Sequence, residues 1–101
     1  MNDPLQVGDL VVETETYSLP QVCAICGVHS ERLVELVSFG IVAPAGGQPD
    51  QWRFNEPAVH RAKKALRLHR DFGLDQQGLG LVLDLLDEVE RLRALVARLH
   101  H

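Results

Sequence analysis

At 101 residues, 46% hydrophobic and 24% charged, the chain has the make-up of one folded domain with at most one appendage, and its composition excludes wholesale disorder. Fourteen Asp and Glu against ten Lys and Arg leave a net charge of −4, which argues against a polyanionic partner because nucleic acid is held largely by Lys and Arg on phosphates. No apolar run is long enough to span a bilayer, no charged-then-apolar leader opens the chain, and two cysteines three residues apart make no disulfide framework; the cytoplasm is the expected location.

Residues 1–9 are polar, with Pro4 and Gly8, and a loose N-terminus is expected there. Leu10 to Thr16 is rich in β-branched residues in partial alternation and predicts one short strand. The only charges before Arg32 are acidic: Asp3, Asp9, Glu13, Glu15 and Glu31. From Tyr17 to Gly40 the pattern is two short helices around a tight turn. Ser18 is a good N-cap, and Pro20 falls in the first turn, where a missing N–H is harmless. Leu19, Val22, Cys23 and Ile25 are the expected buried side of the first helix. Gly27 suits a left-handed terminus. Ser30 begins the second helix, and Glu31 in its first turn complements the dipole. Leu33, Val34, Leu36 and Val37 form its apolar side, and Gly40 stops it. The pair is a helix-turn-helix.

Ile41-Val42-Ala43-Pro44 leads into loop chemistry from Ala45 to Gln51, and Trp52-Arg53-Phe54 follows as a short strand. Together they predict a two-stranded wing, with Leu10 to Thr16 as a possible neighbour. Asn55 caps a third helix over about Glu56 to Phe72, with Pro57 in its first turn. Ala58, Val59, Ala62, Ala65, Leu66 and Phe72 recur at helical spacing. The other side carries His60, Arg61, Lys63, Lys64, Arg67 and Arg70. A solvated face is the ordinary meaning of such a run, and docking of an anionic partner is the sharper one.

Gly73-Leu74-Asp75 breaks that helix and caps the last one, which runs from Gln76 almost to the end. Gly78 and Gly80 weaken its start or admit a neighbouring helix. Val82, Leu85, Val89, Leu92, Val96 and Leu99 recur at alternating steps of three and four, the a/d pattern of a two-stranded coiled coil, with β-branched residues at a and leucines at d. Glu88 and Arg93 fall at g and e, where parallel partners would pair them. Leu79, Leu83 and Leu86 lie off this seam and are expected to pack on the body. A homodimer is therefore expected, against the alternative of one helix folded onto its own domain.

Chemistry is sparse. Cys23, Cys26 and His29 look like half of a zinc site, yet a structural zinc needs four ligands in matched pairs and no second pair exists. Small buried thiols are the plainer reading. There is no strained nucleophile elbow and no phosphate loop, so neither catalytic residues nor a cofactor are expected. A helix-turn-helix reads DNA when its second helix offers Arg, Lys, Asn or Gln to base edges. Here Glu31 and Glu35 lie one turn apart on one face, and would repel phosphate.

Gly27-Val28, the exit Gly40-Ile41-Val42-Ala43-Pro44, Trp52-Arg53-Phe54 and the run 66–74 stand in the order found in the winged helix-turn-helix of the MerR family, which this chain resembles over about residues 17–86. The expected fold is mainly α: a MerR-like winged helix-turn-helix with a small β wing, body 10–74, and a long C-terminal helix, 75–101. The length, the acidic second helix and the tail Asp84-Leu85-Leu86-Asp87-Glu88-Val89-Glu90-Arg91-Leu92-Arg93 resemble one branch, the CbpM family of chaperone modulators. That resemblance implies binding to the J-domain of a CbpA/DnaJ-like co-chaperone, inhibiting its stimulation of DnaK and its DNA binding. As that family is understood, a J-domain presents a basic helix to DnaK, and an acidic surface here would cover it. Glu31 and Glu35 are the first candidates, followed by Glu13, Glu15, Asp84 and Asp87. The alternative is a small MerR-like DNA-binding transcriptional regulator using Arg32, Arg53 and the basic third helix.

Overall fold

The computed structural model describes residues 15–100. The loose start expected over 1–9, the greater part of the strand expected over 10–16, and Glu13 lie outside them. Among the described residues four α-helices occur in order: α1 (Leu19–Cys26), α2 (Ser30–Ser38), α3 (Glu56–Phe72) and α4 (Gln76–Leu99), with a 3-10 turn at Pro49–Gln51 in the stretch expected to be loop.

The helix ends are set by local chemistry. The Ser18 hydroxyl accepts from the Gln21 amide while the Gln21 side chain accepts from the Ser18 amide, a closed capping box. Gly27 then turns out of α1 with φ +70°, a conformation that penalises any Cβ. Asn55 caps α3 through the Ala58 amide, and Asp75 caps α4 through the Gly78 amide. His29 precedes α2 without a side-chain cap.

The wing is smaller than expected. Ala45 and Arg53 form one antiparallel bridge, and Tyr17 and Phe54 another. Glu15 and Thr16 are not strand; the neighbour that pairs with the 52–54 segment is Tyr17, whose N–H donates to the Phe54 carbonyl at 2.8 Å and whose carbonyl accepts from the Phe54 N–H at 2.7 Å. Adjacent residues of an extended segment turn their amides to opposite sides, so Arg53 and Phe54 serve different partners. Phe54 is fully buried and meets Trp52 edge to face, with ring centroids 6.1 Å apart.

Around Phe54 the core gathers Val22 from α1, Leu33 and Leu36 from α2, Ile41 and Val42, Val59, Ala62 and Ala65 from α3, and Leu79 and Leu83 from α4. Ala62 and Ala65 are the smallest side chains of that core, and α3, which carries them, packs against both α1 and α4. Two expected core residues are not in it. Ile25 is 44% exposed and Phe72 is 70% exposed. Ile25 lies on the outer side of an eight-residue helix too short to be covered on two faces, and its place is taken by half-buried Cys26. Phe72 is the last residue of α3, immediately before Gly73 redirects the chain.

Leu79 and Leu83 pack on the body as expected, while Leu86 is 37% exposed at the edge of the contact. From Asp84 onward every described residue of α4 is exposed, although ion pairs from Asp84, Asp87 and Glu90 still tie the helix to α3, so the stretch past Glu90 is what projects beyond the body. Gly78 and Gly80 do not admit a neighbouring helix. A Cβ on Gly78 would meet the Asp75 carboxylate and the Leu74 side chain, and one on Gly80 would meet nothing within 4 Å. Gly80→Ala should therefore raise stability by about 0.5–1 kcal/mol, the ordinary helix-propensity difference. A higher urea midpoint at unchanged slope is the expected measurement; a lower midpoint would show a contact at Gly80.

Candidate docking surface on the second helix

α2 is held by its apolar side. Leu33 and Leu36 are buried, and Val34 and Val37 half-buried, which leaves Glu31, Glu35 and Ser38 on the solvent side. Glu31 and Glu35 are four residues apart and so share a face. With Gly27, Val28, His29 and Arg32 they line a shallow cleft of about 400 Å³. Among the described residues neither carboxylate has an ion-pair partner.

The other expected acidic residues are differently placed. Asp84 and Asp87 project from α4, and both reach the guanidinium of Arg61 on α3, at 3.2 and 3.1 Å. Arg61 also donates from Nε to the Ile41 carbonyl at 2.6 Å. Glu90 pairs with Lys64 at 3.4 Å. Glu88 hydrogen-bonds Arg91 one turn on, which holds its carboxyl below the usual range. That contact is internal to the helix, within a single copy; the Glu88–Arg93 pairing expected across a dimer would involve a second one. Glu15 is exposed at the start of the described chain, near Tyr17. The Tyr17 hydroxyl donates to Glu56 at 2.6 Å, and this bond, with burial and the nearby carboxylates, pushes the phenol up to about 12. Four of the candidates thus fall into two groups: Glu31 and Glu35 together and unpaired among the described residues, Asp84 and Asp87 together and bound to Arg61.

The cations tell the complementary story. Arg32 leaves α2 sideways and donates to Nε2 of His69 at 3.1 Å. A guanidinium only donates, so Nε2 must accept; Nδ1 then carries the proton and donates to the Leu74 carbonyl at 2.8 Å. The two partners that orient His69, a guanidinium 37 residues away and a backbone carbonyl five residues on, leave no mark in the pattern of side chains along α3. Arg53 binds back onto Thr16, through Nε to the hydroxyl at 3.0 Å and through a terminal nitrogen to the carbonyl at 3.3 Å. On α3, His60, Lys63 and Arg67 remain exposed.

Cys23 and Cys26 are free and half-buried. Burial pushes both thiols up, more than the nearby Lys63 pulls Cys26 back, which keeps them as thiols at neutral pH. Among the described residues no group of three or more His, Cys, Asp or Glu converges as a metal would require. None of the described helices is long and apolar enough to cross a membrane.

A second open surface runs along α4. Leu85, Val89, Leu92, Val96 and Leu99 are 41–74% exposed, and Val82, nearer the body, is half-buried. Val89, Leu92, Val96 and Ala97, with the Arg93 stem, make one apolar groove.

Comparison with known proteins agrees with this architecture. The model of the MerR HTH family regulatory protein matches residues 17–101. The chain is similar to the chaperone modulatory protein CbpM of Pseudomonas entomophila, 35% identical over 84% of this chain and 81% of that one. It is 36% identical to the CbpM of Pseudomonas putida over the same shares, and 34% identical to that of Citrobacter koseri over 83% of each chain.

Proposed function

Since the chain belongs to the CbpM family of chaperone modulatory proteins, on the MerR helix-turn-helix scaffold, we propose that it binds the J-domain of a CbpA/DnaJ-like co-chaperone. Binding inhibits that protein's stimulation of DnaK and its DNA binding. It acts in the cytoplasm as a homodimer, by occupancy alone, with no catalytic step and no cofactor.

The observation that carries this reading is the pair Glu31 and Glu35, unpaired on the open face of α2. That face is where a DNA reader of this scaffold needs donors for bases and cations for phosphates. Its two carboxylates suit a basic protein helix. Opposite charge across such an interface speeds encounter and fixes orientation. Asp84 and Asp87 are weaker candidates, because an incoming cation would have to displace Arg61; Glu15 flanks the wing, and Glu13 precedes the described residues. The DNA-binding alternative loses its tools in the same way. Arg32 is engaged with His69 and Arg53 with Thr16, which leaves the exposed side of α3 as its main cationic surface.

The test is a calorimetric titration of the full chain with the J-domain. Glu31→Lys with Glu35→Lys should weaken binding by about a hundredfold, a size typical of losing two charge contacts and gaining two repulsions. The helical spectrum should not change, since both residues are exposed, and the melting point should fall by only a few degrees, because Glu31→Lys gives up the favourable interaction with the N-terminal dipole of α2. Unchanged affinity would remove this face from the interface. Duplex DNA should bind weakly; tight binding with a steep salt slope would favour the transcriptional reading.

A further inference from the structure

The cleft between Glu31 and Glu35 does not end at His29. Val28 and His29 also line a second depression, about 590 Å³, on the side facing the 3-10 turn. Leu19, Pro20 and Cys23 of α1 form its apolar walls, and Ser30 and Asp50 stand exposed beside them. Leu19, Cys23 and Val28 pack on the core from below yet stay partly open. No Lys or Arg lines this depression. Among the described residues Asp50, like Glu31 and Glu35, has no ion-pair partner. An open apolar hollow therefore carries one unpaired carboxylate, Asp50, and adjoins the cleft that holds two more, Glu31 and Glu35, beside Arg32. It also lacks the inward-facing buried polar groups that orient a small molecule; the buried unpartnered polar atom found among the described residues, Oε1 of Gln76, belongs to α4.

We propose that this hollow is the anchor socket of the interface: it receives one apolar side chain from a cationic amphipathic helix of the partner, whose flanking Lys or Arg residues meet Asp50 on one side and Glu31 and Glu35 on the other. The inference rests on the protein-binding function above and names the chemistry of the surface that would bind. Charge alone supplies orientation; a desolvated apolar anchor supplies most of the affinity. The apolar residues between Glu31 and Glu35 in α2, Leu33 and Val34, are buried or half-buried, and the apolar hollow beside the pair shares Val28 and His29 with the acidic cleft, so one helix can reach both.

The test uses the full chain and a full-length DnaJ-like co-chaperone. Ser30→Trp fills the hollow from its exposed edge without removing a core atom, and Asp50→Lys reverses one flank. Each should weaken binding by about tenfold or more, with unchanged helicity and melting point. A second measurement leaves the hollow itself unaltered. In a Cys26→Ser variant, alkylation of Cys23 by iodoacetamide should slow at least about fivefold when the partner saturates the chain, as expected for a thiol under a dry interface core. Alkylation at an unchanged rate in the complex overturns the socket, whatever the variants do, and leaves J-domain binding standing. So does Ser30→Trp that keeps full affinity for the co-chaperone but lowers the chain's own sedimenting mass, since the occupant would then be a second copy. Absence of any binding by the unsubstituted chain overturns both.

Discussion

Val89→Asp should convert a dimer into a monomer in sedimentation. Val89 sits in the middle of the apolar seam, 41% exposed in the single chain, with Leu85 and Leu92 on either side at 55% and 44%. The body leaves them uncovered: α3 meets this part of α4 through the ion pairs of Asp84, Asp87 and Glu90, and the apolar seam stays open. A second copy of the same helix can cover it, since a seam with this spacing is self-complementary. Closing it buries several side chains that each contribute about 1.5–3 kcal/mol when fully removed from water. An aspartate at Val89 enters a twofold interface twice. It loses the valine's burial and adds a charge that must be desolvated without a partner. A combined penalty of about 3 kcal/mol or more would raise the dimer dissociation constant at least about a hundredfold. The body should stay folded, because its core contacts end near Leu83. A Val89→Asp chain that sediments as a dimer at the same concentration would show that the seam is not the interface.

Phe54→Ala should produce the largest loss of stability of any single truncation. Phe54 is the largest side chain that is fully buried. It belongs to a two-bridge wing, and among the described residues its backbone is pinned by the pair of hydrogen bonds to Tyr17. Its ring is surrounded by the residues that bring α1, α2, α3 and α4 together. Removing it withdraws transfer energy and leaves a cavity, about 3–5 kcal/mol for an aromatic in a core. Against a total of about 5–15 kcal/mol for a small domain, that is a fall in melting temperature of roughly 12–40 °C. Half-buried Trp52, 6.1 Å from the Phe54 ring, provides the fluorescence signal to follow it. A loss below about 1 kcal/mol would mean that the core closes without Phe54. The functional consequence is direct: α2 presents Glu31 and Glu35 only while Leu33 and Leu36 remain seated in this core.

Burial shows where reading a pattern fails. Periodicity places Ile25 and Phe72 on apolar faces, yet both are exposed. Periodicity reports which residues share a face of a helix, and not whether another element reaches that far. The C-terminal seam is the same phenomenon on a larger scale, where the exposed apolar face is continuous. Charge shows a second kind of failure. Asp84 and Asp87 look equivalent to Glu31 and Glu35 in the sequence, but the first two face Arg61 and the second two face solvent.

What the amino-acid sequence determined by itself is everything that acts over one helical turn. Ser18, Asn55 and Asp75 each cap through an amide three residues on, Gly27 and Gly73 each take a left-handed conformation after the last turn, and the four helices follow within a residue or two. The mainly α, MerR-like class and its family were legible in that order of elements. Only the tertiary structure decided which charges are engaged and which are available. Arg61 finds Asp84 across 23 residues, and Arg32 finds His69 across 37. Polar contacts of that range depend on how α2, α3 and α4 pack, and packing depends on core shapes that no short-range pattern encodes. The unpaired state of Glu31 and Glu35 is therefore a property of the fold.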